Sequence, residues 1–272
     1  MNRAPATAKL NLALVVGPLR EDGRHEVVTV LQRLDLADRV SIEPASELRV
    51  EGFAEDTLVR AALEQLAEAA DTQPRWRAQI WKHVPVAAGL GGGSSDAATA
   101  LRLANETLAE PFPAERVHEL AAGLGADVPF FLTSGPQLGT GTGTELEQIE
   151  LPQDYWVVLL LPDGQRKPST ASVYDDFDRR NGAVGFEERH ARLGEALAQA
   201  KRPRDLAALP PNDLASSPLT AKLQDLGAFR ADVTGAGPAV YGLFLHGDRA
   251  RAAQRKMSAA GRSWLTAPAW YR

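Results

Sequence analysis

The stretch Pro85-Val86-Ala87-Ala88-Gly89-Leu90-Gly91-Gly92-Gly93-Ser94-Ser95-Asp96 decides how this chain is read. Four glycines fall within five positions, two hydroxyls and a carboxylate follow, and the run enters Ala97-Ala98-Thr99-Ala100-Leu101-Arg102-Leu103-Ala104, which reads as a helix. Glycine tolerates positive φ and has no side chain to block a ligand. A helix start presents unpaired N–H groups and a partial positive charge. Together they make a cradle for a phosphate. The cradle is not a P-loop, because no lysine follows Gly93. It is not the dinucleotide fingerprint either, since Asp96 stands where the third glycine belongs. The plainer reading is a glycine hinge ahead of a serine-capped helix. The Ser94-Ser95-Asp96 ending and the uninterrupted helix behind it weigh against that.

Working outward, Arg77 to Val84 reads as a strand feeding the loop, which supplies the strand–loop–helix context a phosphate site needs. Upstream, alternating stretches at 8–16, 26–34, 39–44 and 48–52 predict strands, with Glu21-Asp22-Gly23-Arg24 as a turn. Thr57 to Ala70 predicts a helix with Leu58, Ala61, Leu63, Leu66 and Ala70 on its apolar face. Helices at 94–109 and 114–122 follow, the second stopping at Gly123. A buried strand near Tyr155 opens the second half. Helices at 169–179, 186–200 and 219–226, a strand–turn–strand at 230–245, a helix at 248–260 and a strand at 263–270 complete it, with Pro203, Pro210, Pro211 and Pro218 marking loops. No internal repeat appears. The pattern predicts two α/β domains, 1–150 and 151–272.

Composition narrows the function classes. A 272-residue chain that is 44% hydrophobic can bury a full core without a metal or disulfide staple. A net charge of −5 with no basic run argues against nucleic acid as a partner. The absence of cysteine excludes thiolate catalysis, Cys–zinc sites and disulfides. The apolar stretch Leu10 to Val16 is interrupted by Asn11 and followed by Arg20, Glu21 and Asp22, too short and polar for a secretory signal. Tyr155 to Leu161 is far shorter than the ~20 residues that span a bilayer. The expectation is a soluble, cytoplasmic protein with no membrane partner, monomer or homodimer.

Phosphate binding needs a base and a cation beside it to become chemistry. On a strand, Leu10, Leu12 and Leu14 face one side and Lys9 and Asn11 the other. Alternation alone favours a solvated face for the polar pair; the alternative is a cleft with Lys9 as the cation. Asp127 precedes Val128-Pro129-Phe130-Phe131, where it could cap a helix or sit at a core edge as a proton acceptor. Thr234-Gly235-Ala236-Gly237-Pro238 is either a plain turn or a second glycine loop at the same ligand. Gly139 to Gly143 opens no helix and reads as a hairpin turn. His25, His83, His118, His190 and His246 lack metal-ligand spacing, and only His25, close behind the Lys9 strand, is kept as a site residue.

These segments resemble the GHMP kinase family. The glycine–serine loop at 85–96 and the glycine loop at 234–238 carry the resemblance, with Ala8-Lys9-Leu10-Asn11-Leu12, Glu21-Asp22-Gly23-Arg24-His25-Glu26 and Gly125-Ala126-Asp127-Val128-Pro129-Phe130-Phe131 in the family's order. The resemblance implies the two-domain α/β (α+β) GHMP kinase fold with its active site in the cleft between domains. It implies ATP and Mg²⁺, with no side chain assigned to the metal, and transfer of the γ-phosphoryl group to a small-molecule alcohol. The branch it points to acts on the 2-hydroxyl of 4-diphosphocytidyl-2-C-methyl-D-erythritol, in the non-mevalonate isoprenoid pathway. In that reading Asp127 is the catalytic base and Lys9 its partner, and residues 85–96 hold the phosphates. Thr57 and Lys82 lie toward adenine; Asn11, Arg24, His25, Tyr174 and Gly235 join Asp127 on the substrate side. Two departures stand out: Arg24 replaces a usual tyrosine, and Thr57 a usual asparagine. The alternatives are a mevalonate, homoserine or galactose type of kinase, or a nucleotide-binding protein without catalysis.

Overall fold

The computed structural model describes residues 2–164 and 169–269. In chain order the elements are β1 (Asn2–Leu19), β2 (His25–Pro44), β3 (Arg49–Glu51), α1 (Leu58–Ala69), β4 (Trp76–Trp81), α2 (Gly92–Asn105), α3 (Ala114–Leu124), β5 (Gln137–Thr140), β6 (Glu145–Gln148), β7 (Trp156–Pro162), α4 (Thr170–Arg179), α5 (Phe186–Gln199), α6 (Leu219–Asp225), β8 (Arg230–Val233), β9 (Val240–Phe244), α7 (Gly247–Met257) and β10 (Gly261–Thr266). The chain forms two compact units. Of the described residues, one comprises 2–8, 36–86 and 91–134; the other comprises 9–35, 87–90, 135–164 and 169–269. The units are discontinuous because β1 and β2 are long and each contributes to both. The glycine loop is shared in the same way.

In the first unit, β4 pairs antiparallel with the second half of β2 (Arg39 opposite Trp81) and parallel with β3. Helices α1, α2 and α3 pack on one another. The buried stripe of α1 is Val59, Ala62, Leu63, Leu66 and Ala67. That differs from the predicted face, with Leu58, Ala61 and Ala70 turned partly outward. Several rows of small and apolar residues fit a 3.6-residue period here, and contact with α2 selects among them. α2 begins at Gly92, two residues before the predicted start, and α3 runs past Gly123 to end at Gly125.

In the second unit, the first half of β2 pairs with β5, and β5 with β6, so the Gly139–Gly143 segment is the hairpin turn expected. A separate antiparallel sheet has the order β10-β7-β9-β8. Val158, Leu160, Leu223, Val233, Val240, Phe244 and Met257 form the core beneath it. The predicted strands 26–34 and 39–44 are one continuous strand, and the two aspartates in the gap between them are held from outside it, Asp35 by Thr266 and Asp38 by the N–H of Val84. The proline-marked loop at 203 instead holds a short 3-10 helix, Pro203–Ala208. The predicted final strand is β10, and its expected last residue, 270, lies outside the described residues.

Candidate active site

The glycine loop does what its composition requires. Gly89 and Gly91 have φ of 82° and 70°, where a side chain is strained. Gly91, in the left-handed region, is the N-cap of α2 and provides no side-chain cap. The serines are therefore not caps. Ser94 and Ser95 lie inside the first turn, and Ser95 N–H donates to Gly91 O at 2.9 Å. The N–H groups of Gly92, Gly93 and Ser94 precede the first intrahelical donor and remain open to a ligand. A Cβ on Gly92 would come within 3.1 Å of Val84 and 3.3 Å of the Lys82 ammonium, so the bare backbone is what fits here. This donor set suits a phosphate, with the positive end of α2 behind it. No cluster of three His, Asp or Glu residues that could hold a metal by itself is found among the described residues. A divalent cation here would depend on ligand oxygens supplied by a bound phosphate.

Lys82, just after β4, is held between two buried carboxylates. Its Nζ donates to Asp38 Oδ2 and, at 2.7 Å, to Asp96 Oδ2, and it lies 5.6 Å from the Phe53 ring. Burial works against the Lys82 charge, but Asp96 and Asp38 outweigh it and hold its pKa above the ordinary value. One ammonium cannot neutralise two carboxylates. Burial first, and the charge of Asp38 second, push the Asp96 carboxyl up to about 7 against the pull of Lys82. Asp96 Oδ1 is buried without a hydrogen-bond partner. Thr57 is exposed at the N-cap of α1 and makes no side-chain cap; Asp56 supplies it, accepting from Val59 N–H and Arg60 N–H at 3.2 Å. Asp127 is half-buried in the turn between α3 and a 3-10 helix at Pro129–Leu132. That helix takes Val128 as its N-cap, so Asp127 is not the cap that sequence allowed.

In the second unit Lys9 is only 4% exposed and Asn11 6%, so neither sits on a solvated face. Both faces of β1 are covered from Ala6 to Gly17. Lys9 Nζ donates to Asn11 Oδ1 at 2.6 Å, and Asn11 Nδ2 donates to Thr29 Oγ1 at 2.8 Å. Lys9 N–H donates to Leu90 O in the glycine loop. The 234–238 segment joins β8 to β9 and also lies on this group. Asn11 N–H donates to Thr234 Oγ1 at 3.1 Å, and a Cβ on Gly235 would sit 3.4 Å from Asn11 Oδ1, 3.5 Å from Gly89 O and 3.7 Å from Lys9 Nζ. The second glycine loop is thus both a turn and a neighbour of Lys9.

Sequence reasoning passed over two residues, Asp38 and Asn212. Asn212 Nδ2 donates to Val233 O and Gly235 O, and its N–H donates to Asp232 Oδ2. Asp232 is in turn held by Arg230, whose guanidinium also donates to the carbonyls of Leu209 and Pro210. A polar residue directly after Pro210-Pro211 was the available signal for Asn212.

His25 and Tyr174 come together. Their rings stack at 5.0 Å and 19°, so each spends one face on the other. His25 Nδ1 donates to Gly17 O at 2.9 Å, and Nε2 faces Asp178 Oδ2 at 3.3 Å. Arg24 is exposed in the turn, its N–H donating to Asp22 Oδ1.

The chain matches the family model described as GHMP kinases N terminal domain over residues 57–135, which include the glycine loop and α2, and that described as GHMP kinases C terminal over 183–263. The chain belongs to the GHMP kinase family. It is 34% identical to a 4-diphosphocytidyl-2-C-methyl-D-erythritol kinase from Syntrophotalea carbinolica, over 93% of each chain. To the protein of the same name from Geobacter sulfurreducens it is 36% identical, over 96% of each. The crystal structure of a 4-(cytidine 5'-diphospho)-2C-methyl-D-erythritol kinase superposes with a TM-score of 0.80 at 32% identity, covering 98% of this chain and 100% of that one. A mevalonate kinase structure reaches 0.76 at 13% identity, covering 98% and 99%, a likeness of fold alone.

Proposed function

We propose that this chain is an ATP-dependent kinase that phosphorylates the 2-hydroxyl of 4-diphosphocytidyl-2-C-methyl-D-erythritol, in the non-mevalonate isoprenoid pathway. The carrying observation is near-full-length identity of 34–36% to relatives bearing that activity in their name, with the phosphate loop intact. Mevalonate-type kinases share the fold at far lower identity. Domains of 1–150 and 151–272 belong to the same reading; the two family matches fall on either side of that boundary.

The chemistry follows from the residues. The substrate hydroxyl oxygen forms a bond to the γ-phosphorus, its proton passes to the Asp127 carboxylate, and the bridging P–O bond breaks to leave ADP. Lys9 supplies positive charge that offsets charge at the attacking oxygen. Its hydrogen bond to Asn11 fixes where that charge sits. The backbone from Gly89 to Ser95 holds the phosphates, whose oxygens would carry Mg²⁺; the bound metal neutralises phosphate charge. Residues 85–88 and Asp96 frame that loop, and Lys82 and Thr57 lie toward the adenine. Asn11 and Gly235 lie toward the acceptor, and His25, Tyr174 and Arg24 toward the cytidine. Arginine also stacks flat on a base, so Arg24 suits the place of the family's tyrosine. At Thr57, whose side chain lacks an amide, the contact to adenine is reduced.

The test is ADP release by the purified chain with ATP, Mg²⁺ and each of 4-diphosphocytidyl-2-C-methyl-D-erythritol, mevalonate, homoserine and galactose. Turnover with the cytidyl substrate alone is the expected result. Turnover only with another acceptor would overturn the substrate, and bound ATP with no turnover anywhere would overturn the catalytic reading.

A further inference from the structure

Asp38 is fully buried, and the reaction just described gives it no part. Its Oδ1 accepts the N–H of Val84 at 2.8 Å and that of His83, and its Oδ2 accepts from the Lys82 ammonium. Three donors on consecutive residues converge on one carboxylate, and those residues are the last before the glycine loop. Lys82 reaches on to Asp96 near the start of α2, the helix that follows the loop. A chain of charge-assisted bonds therefore ties the two flanks of the loop together. The close approach of Gly92 to Val84 and Lys82 places the first turn of α2 against the same group.

We propose that Asp38 is a positioning residue for nucleotide binding, acting through Lys82 and the 83–84 backbone to set how the first turn of α2 presents its N–H groups. The proposal rests on assigning residues 85–96 to nucleotide phosphates. A carboxylate is required because an amide of the same shape fails at one contact. The carbonyl of Asn could accept from His83 and Val84, but its NH2 would then meet the Lys82 ammonium, donor against donor. Lys82 would be left to Asp96 alone, and burial leaves little water to compensate.

The test compares wild type, Asp38→Asn, Lys82→Met, the double variant and Gly92→Ala by steady-state kinetics and by titration with ADP. Asp38→Asn is expected to raise KM for ATP and Kd for ADP about tenfold, with kcat and the acceptor KM within about twofold. The double variant should be no worse than Lys82→Met, because Asp38 acts through Lys82. A merely structural Asp38 would lower Tm and the active fraction, leave KM for ATP alone, and add to the Lys82 effect; any of these nucleotide results overturns the proposal. If Gly92→Ala raises KM for ATP while Asp38→Asn does not, the role of Asp38 falls and the loop assignment stands. If neither moves it, the loop assignment itself falls. Where Asp38→Asn does not fold, Asp38→Ser, which keeps an acceptor for the backbone N–H groups, takes its place with the same expected rise.

Discussion

Gly89→Ala is a severe test of the contact between the two glycine loops. Gly89 has φ of 82°, and an alanine there carries about 1–2 kcal/mol of left-handed strain. The larger effect is steric. The new Cβ would overlap the carbonyl oxygen of Thr234 and lie 3.2 Å from that of Gly237. Both obstacles are backbone, so no rotamer relieves them, and the loops must part by roughly 0.5–1 Å. A displacement near 1 Å at a site that positions reactants costs on the order of 100-fold in rate, or about 2.7 kcal/mol of transition-state stabilisation. With strain and lost packing together at about 2–3 kcal/mol, Tm should fall by roughly 5–10 °C. The assay is kcat/KM from ADP release, with Tm from thermal denaturation. Gly143→Ala is the control: its φ of 88° gives the same strain, but nothing lies within 4 Å of the added Cβ. That variant should lose about 2–8 °C in Tm and no activity. Gly89→Ala with kcat/KM within twofold of wild type would refute the packing argument, as would an equal loss of activity in Gly143→Ala.

Three further expectations concern side chains. Asp127→Asn should reduce kcat at least 1000-fold, about 4 kcal/mol, and leave ATP affinity within a few-fold; a near-normal kcat removes Asp127 from the role of base. Arg24→Tyr should change KM for the cytidyl substrate and not for ATP, and an equal effect on both would take Arg24 out of the substrate side. Asp96, raised from 3.8 to about 7 on folding, gives stability that is complete below its unfolded value and is lost as pH rises through about 7. Wild-type Tm should therefore fall more steeply between pH 5 and 8 than that of Asp96→Asn, and parallel curves would contradict the raised carboxyl.

The elements legible in the sequence were those whose signal is local. Four glycines ahead of an alanine-rich run leave little but a phosphate loop entering a helix, and α2 starts there. Alternation located β1, and its Lys9-Leu10-Asn11 order put both polar residues on one face, but period-2 patterning reports which residues share a face and nothing about what covers it. The strand is buried on both faces, and this turns a residue resembling a surface lysine into a buried cation bonded to Asn11. The stripe of α1 keeps Leu63 and Leu66 but takes Val59, Ala62 and Ala67 in place of Leu58, Ala61 and Ala70, because several rows of small apolar residues fit the helical period and contact with α2 selects among them. Asp38 falls in the gap between the predicted strands 26–34 and 39–44, since a carboxylate amid alternating residues has no local reason to be inside; three donors from residues 82–84, more than forty positions away, supply it. Asn212 was hidden for the same reason, its side-chain amide donating to carbonyls of backbone about twenty positions away. By itself the sequence determined the loop, the order of the elements and the identity of the charged residues, because these follow from near-neighbour geometry and composition. Only the tertiary structure decided which polar groups lie buried together, because burial and hydrogen-bond pairing belong to segments that meet in space and not along the chain.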